Sequence, residues 1–397
     1  MIYEGNCRLG DLFTSRREKG RPGLPTLSVT LNDGLVNRED MERKQDTSLA
    51  PEEHLLVKPG DIAYNMMRMW QGAFGLADHE GLVSPAYVVL NPRKDVDPLY
   101  ASYLFETRRL IYLFWAYSHG LTEDRLRLYF DDFRRIPIFI PPFQKQTVYV
   151  GAIETWESAI ALARRLLELT TASRKALVND LASGNRRIDS FRDPWDESRL
   201  GDVCDFSRGY TYESESYADS ITRNAFLTLR SVEKGGGFNS EGIKYLVSGV
   251  DKRFVVSPGD LLCAITDIAR EAPVVGAPLM VPEDLSTYDQ VAFSMDLVKL
   301  KVSPKMRNAF LYFFLQTPEI RRRARSLANG STVLHLDVQG YKKVKVRFPK
   351  QLDEQDQIVR SLLLAEEMEK SIRRHIAALQ RGRQALLQQL VKDHGAS

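Results

Sequence analysis

The stretch Gln144–Gly184, QKQTVYVGAIETWESAIALARRLLELTTASRKALVNDLASG, organises the rest of the chain. Steps of four and three through it select Trp156, Ile160, Ala163, Leu167, Thr170, Arg174, Leu177 and Leu181. These positions form an a/d heptad seam, flanked by charged residues, which predicts one long amphipathic helix. At about 1.5 Å per residue the seam spans roughly 39 Å. Such a stripe is not buried by its own helix, so the helix requires a partner.

The partner is written later in the same chain. A shift of 209, which carries Arg174 onto Arg383, gives Ala365, Glu369, Ile372, Ile376, Leu379, Arg383, Leu386 and Leu390. The frame is kept, and Arg174-Lys175-Ala176-Leu177 recurs as Arg383-Gln384-Ala385-Leu386. The chain is therefore an internal repeat. Antiparallel pairing of the helices predicts Arg174 against Ile372, with Glu369 one layer away, and Arg383 against Ala163.

The 397 residues allow two to three domains with packed cores. The net charge is +3, evenly spread between the halves, so bulk charge neither demands nor excludes nucleic acid. The three cysteines, Cys7, Cys204 and Cys263, form no CxxC pair, which fits a reducing cytoplasm. The opening MIYEGNCRLGD has no apolar signal core. Leu110–Tyr117, the longest apolar run, is too short to cross a bilayer, so no membrane association is expected.

Residues 1–143 read as a first globule, 144–184 as the central helix, 185–349 as a linker and second globule, and 350–397 as a distal helix. In the first globule, strands are expected at LPTLSVT, after Lys58-Pro59-Gly60-Asp61, at Val83–Leu90 and at Ile136–Ile140, with one helix over Leu99–Ser118. The second globule repeats the order: Leu200-Gly201-Asp202 echoes Leu9-Gly10-Asp11, and Ser257-Pro258-Gly259-Asp260 echoes the first Pro-Gly-Asp turn. A strand over Val291–Leu300, an arginine-rich helix over Asn308–Leu327 and a strand over Val344–Phe348 follow. Gln355 and Gln357 match Gln144 and Gln146 at the helix starts. The expected class is α+β: two similar globules separated by two long helices packed as an antiparallel coiled coil.

Catalytic signatures are missing. There is no phosphate-cradling G-x-x-x-x-G-K-[ST], H-E-x-x-H or G-x-S-x-G. Gly235-Gly236-Gly237 precedes no helix and reads as a loop. The six histidines show no metal-ligand spacing, and Asn91-Pro92-Arg93-Lys94 reads as the turn ending a strand. Two similar globules held at a fixed separation describe a two-point binder better than a single active site. Half-sites one DNA turn apart are about 34–36 Å between centres, a distance of the order of the seam. Arg, Asn and Gln side chains fork onto purine edges, and further arginines neutralise phosphates. The DNA-contact candidates in the first globule are Arg16, Arg17, Tyr64, Asn65, Arg68, Trp70, Gln71 and Arg125. In the second they are Arg208, Tyr210, Tyr212, Thr266, Arg270, Arg321 and Arg322.

The order and duplication of these pieces resemble the specificity (S) subunit of type I restriction–modification systems. The matching residues are Pro59–Ile62 and Pro258–Leu261, Ser84-Pro85-Ala86-Tyr87, Gly330-Ser331-Thr332-Val333-Leu334, and Pro349 followed by Glu354-Gln355-x-Gln357-Ile358. The first copy departs from the pattern at Phe143-Gln144-Lys145-Gln146 and His119-Gly120-Leu121-Thr122. The resemblance implies that each globule is a target-recognition domain for half of a bipartite double-stranded DNA site, with the helices as spacer. It implies a non-catalytic, cytoplasmic chain that recruits two methyltransferase (M) subunits and, through them, motor–nuclease (R) subunits. S-adenosylmethionine, ATP and Mg would belong to those partners, with no cofactor in this chain. Leu166, Leu363 and Leu387, off the seam, are the expected docking contacts. A stand-alone coiled-coil scaffold or sensor that does not act on DNA is the competing reading, and an enzyme with an unrecognised active site is the third.

Overall fold

The computed structural model describes residues 6–41 and 49–392; His394, at the end of the distal segment, lies outside them. The two long helices are Phe143–Ser183 and Leu352–Lys392. The chain divides into two compact units, and the division falls inside these helices. The first unit is Met1–Arg164 with Arg374–Ser397, and the second is Arg165–Arg373.

In the first unit, Asn6–Arg8 pairs antiparallel with Pro137–Phe139, which closes the globule where the long helix begins. A four-stranded antiparallel sheet follows, in the order Phe13–Arg16, Tyr87–Pro92, Ile62–Asn65, Phe74–Leu76. The expected strand over Val83–Leu90 is two strands, Gly81–Val83 and Tyr87–Pro92, broken at Ser84-Pro85, where proline supplies no backbone donor. The expected helix over Leu99–Ser118 is also two, Pro98–Phe105 and Arg108–Ala116. Thr107 separates them: its hydroxyl donates to the Leu104 carbonyl and accepts from the Leu110 amide. Phe105 lies at the centre of the core, edge-on to Phe114 at 5.3 Å and to Phe133 at 5.9 Å. Leu387 and Leu390, from the second long helix, are buried in this same core.

The second unit repeats this plan. Asp196–Arg199 pairs with Lys345–Phe348, and the four-stranded sheet runs Cys204–Arg208, Leu297–Val302, Leu261–Ala264, Pro278–Met280. The expected strand over Val291–Leu300 breaks at Ser294–Asp296 into Gln290–Phe293 and Leu297–Val302, which enter different sheets. The expected helix over Asn308–Leu327 breaks into Asn308–Leu315 and Pro318–Ser326, because Pro318 cannot continue the preceding hydrogen-bond ladder. Thr317 repeats half of the role of Thr107: its hydroxyl donates to the Phe314 carbonyl at 2.8 Å but, among the described residues, accepts no bond from the helix that follows. Both units are α+β, and their four-stranded sheets share one strand order; the smaller sheets differ, the second unit pairing Asn224–Leu227 parallel with Gln290–Phe293.

Within each unit the long-helix segments run antiparallel. In the first, Trp156 packs on Gly382, where any Cβ would stand 2.5 Å from the ring, while Val150 and Ile153 share a core with Leu387 and Leu390. In the second, Arg174 donates to Glu369 at 2.8 Å, while Leu181 and Ala182 share a core with Ile358 and Leu362. The seam puts Ile372 opposite Arg174 and Glu369 one layer away; it is Glu369 that the guanidinium meets. The Arg383 guanidinium reaches Glu157 at 2.7 Å and Glu106 at 3.0 Å, acids that the seam alone does not nominate.

Candidate nucleic-acid interface

Each globule presents a loop at the end of the strand that follows its Pro-Gly-Asp turn. The turns are built alike. Gly60 and Gly259 adopt φ of 88° and 82°, a region open to glycine, and Asp61 and Asp260 accept from the amides of Lys58 and Ser257. A cation clamps each aspartate: Arg16 makes a two-point ion pair with Asp61 at 2.6 and 3.0 Å, and Lys299 holds Asp260 at 2.6 Å. Arg16 is therefore a staple between a strand and the turn rather than a free phosphate ligand. Its neighbour Arg17 is exposed.

Beyond the first turn the chain leaves Ile62–Asn65 for the loop Met66–Gln71. Asn65 accepts from the Met67 amide, and the Trp70 indole donates to the Met67 carbonyl, both at 3.0 Å. The loop is tied to the segment after the helix pair by the Leu128 amide, which donates to Met66 at 2.9 Å. Arg68 and Gln71 are exposed on this platform, and Asn65 and Trp70 half-buried; Arg125 is exposed in the neighbouring turn. Tyr64 corrects the sequence reading. It is fully buried against Phe133, and burial holds its hydroxyl well above the ordinary phenol range, so it is core.

The second unit builds the same platform with other side chains. The Asp267 carboxylate accepts from the amides of Ala269 and Val274 at 3.0 and 2.7 Å, pinning the loop that presents Ile268 and Arg270 to solvent. Leu336 donates to the Ile265 carbonyl, tying this loop to the segment after the helix pair, as Leu128 does in the first unit. Thr266 is not on the surface: it is buried and donates to Asp296 at 3.0 Å. Arg208 is exposed at a strand end. Tyr210 and Tyr212 are half-buried, edge-on to Phe226 at 6.3 and 5.4 Å.

Arg321 is a further correction. It is only 4% exposed, and its guanidinium donates to the Val275 and Pro273 carbonyls at 2.7 and 2.8 Å. Arg322, on the same helix, is exposed. Of the docking candidates, Leu166 and Leu363 are exposed, whereas Leu387 is buried in the first unit's core. Sequence reasoning missed the exposed aromatic pair Tyr112 and Trp115, with ring centroids 5.8 Å apart. The signal was available: two aromatics three residues apart beside Arg108 and Arg109 on one amphipathic helix.

Comparison with known proteins bears on the fold. Residues 192–367 match the family described as type I restriction modification DNA specificity domain. Similar solved structures include a chain from work on complex assembly and conformational transition of the type I R-M system. It is 17% identical, with a TM-score of 0.62 and 98% of each chain covered. The HsdS subunit from Thermoanaerobacter tengcongensis (16% identity, TM-score 0.51) and the type I restriction–modification S subunit from M. genitalium (14%, 0.52) each align over 98% of this chain and 96% of their own. No curated protein matches the sequence significantly. Residues 192–367 are thus similar to the type I restriction–modification DNA specificity domain family, and the chain has the fold of these solved S subunits.

Proposed function

We propose that this chain is the non-catalytic DNA-specificity subunit of a type I restriction–modification enzyme, each globule reading one half of a bipartite site. The observation that carries this reading is a repeated platform with changed side chains. Both units tie the loop after the Pro-Gly-Asp turn to the segment after the helix pair through a backbone hydrogen bond, and the second adds an antiparallel pairing of Thr266 and Asp267 with His335 and Leu334. The first displays Arg68 and Gln71 there, the second Ile268 and Arg270. One scaffold with two sets of readers fits an asymmetric target. Arg17, Arg125, Arg208 and Arg322, all exposed, are suited to phosphates, with Asn65, Trp70, Tyr210 and Tyr212 supporting the loops.

The long helices set the spacing between half-sites and dock two methyltransferase subunits, with Leu166 and Leu363 among the exposed apolar contacts. S-adenosylmethionine, ATP and Mg belong to those partners and to the motor–nuclease subunits, and not to this chain. The scaffold reading, in which the helices serve another assembly, is disfavoured by the match of the second globule to a DNA specificity domain.

The test is to map methylated adenines after exchanging residues 199–349 for the equivalent segment of a related protein. One half-site should change and the other persist; a change in both halves, or in neither, would refute the assignment. Inserting one heptad into a long helix should alter the tolerated spacer or abolish modification. Arg68→Ala and Arg270→Ala should each cost about 1–3 kcal/mol of discrimination in one half-site only.

A further inference from the structure

A cavity of about 390 Å³ lies in the second unit between the helix Pro318–Ser326, the long helix and the glycine loop. Its lining includes Arg174, Lys175, Lys234, Arg321, Arg322 and Arg325, and no carboxylate. Arg174 is neutralised by Glu369. Lys175, Lys234, Arg322 and Arg325 are exposed, and none makes an ion pair among the described residues. Arg321 is buried, and its Nε has no hydrogen-bond partner, a donor left over after both terminal nitrogens bind carbonyls. A buried orphan donor on a residue that lines a cavity together with unpaired cations is a cost to folding that an anion would remove.

The corresponding place in the first unit argues that the fold does not require this charge. There Arg383 replaces Arg174 and Gln384 replaces Lys175, while Ile111, Tyr112 and Trp115 stand in the helix positions of Arg321, Arg322 and Arg325. The crevice beside them has Asp33, Glu106 and Glu157 in its lining, with Arg383 as its single cation. The seam arginine is common to both units, but the cluster around it is not.

We propose that the cavity in the second unit is a binding site for a multiply charged phosphate group. Its volume suits a compact ligand rather than a base pair, and guanidinium groups favour phosphate through paired hydrogen bonds. The same chemistry is offered by the polyphosphate of a free nucleotide and by a DNA backbone phosphate. The site does not depend on which half-site the second globule reads.

Calorimetric titration of the full chain with inorganic pyrophosphate, at physiological salt and without other polyvalent anions, tests this. One saturable site is expected, weakened about tenfold or more in the double variant Lys175→Glu, Arg325→Glu. Both side chains are exposed, so the variant should melt like the parent without ligand. Undiminished binding in the variant, or no saturable binding by the parent, overturns the proposal. Displacement of pyrophosphate by ATP but not by duplex DNA identifies a nucleotide as the occupant; displacement by a duplex lacking the target site identifies the DNA backbone. Failure here would leave the half-site exchange result unaffected, so the two readings fall separately.

Discussion

Two pairs of equivalent places in this protein behave in opposite ways. At the start of each long helix a fully buried glutamine makes the same three bonds. Gln146 accepts from the Asp97 amide at 2.8 Å and donates to the Asp95 and Pro141 carbonyls at 3.0 and 2.8 Å. Gln355 accepts from the Arg307 amide at 2.8 Å and donates to the Lys305 and Pro349 carbonyls at 2.9 and 2.8 Å. One residue earlier the similarity fails: Lys145 is exposed, whereas its equivalent Glu354 is buried and held by Arg187 and Trp195. The crevices beside the seam arginines diverge further, to opposite charge. The contrast teaches that the duplicated scaffold is held where backbone polar groups must be satisfied, and is free to change where side chains meet solvent or ligand.

The largest test of this contrast is at the glutamines. Gln146→Leu and Gln355→Leu should each cost about 3–5 kcal/mol in equilibrium urea unfolding, because three bonds are lost and backbone groups are left buried without partners. Similar losses from both would support equivalence; a loss from one alone would break it. The seam ion pairs come next. Glu369→Leu strands Arg174, whose side chain is 15% exposed, and should cost about 3 kcal/mol. Glu157→Leu should cost less than about 1 kcal/mol, because that glutamate is 42% exposed and Arg383 keeps Glu106.

The smallest effect is in the pH dependence. Burial alone would raise Glu369, but hydrogen bonds from Arg373 and Arg174 outweigh it and hold the carboxyl below the ordinary range. Its stabilisation is present above the usual carboxylate pKa and is lost as pH falls through the depressed value. Glu106 is the reverse: burial raises it despite Arg383, so its ionised form costs stability at neutral pH and the cost is relieved as pH falls through the raised value. Unfolding measured against pH should therefore show Glu369→Gln flattening the acid limb and Glu106→Gln giving a slight gain at neutral pH. The second unit already carries Gln316 at the place of Glu106.

Much of this was legible in the sequence, for physical reasons that also mark where legibility ends. The heptad frame exposed the duplication and paired Arg174 with the region of Glu369, because a seam is a linear pattern. The glutamine match was misread by two residues: Gln146, not Gln144, is the equivalent of Gln355, as the three bonds show. Tyr64 was missed as core because Ile62–Tyr64 is buried on both faces and lacks the alternation of a half-exposed strand. Arg321 hides in an arginine run; only the burial of Ile320 and Ala324 reveals which way that helix faces. Leu387 lies one step off the seam, yet the helix end packs on its own globule as well as on its partner, as Val178 does in the second unit.

The split of the first unit into two separated stretches of chain has a consequence for biosynthesis. Its core includes Leu387 and Leu390, which leave the ribosome after the whole of Arg165–Arg373. The second unit is contiguous and can close on itself as soon as it emerges. The portion made first is thus the last to be completed, and it must wait, with an apolar surface uncovered, for the closing helix to arrive.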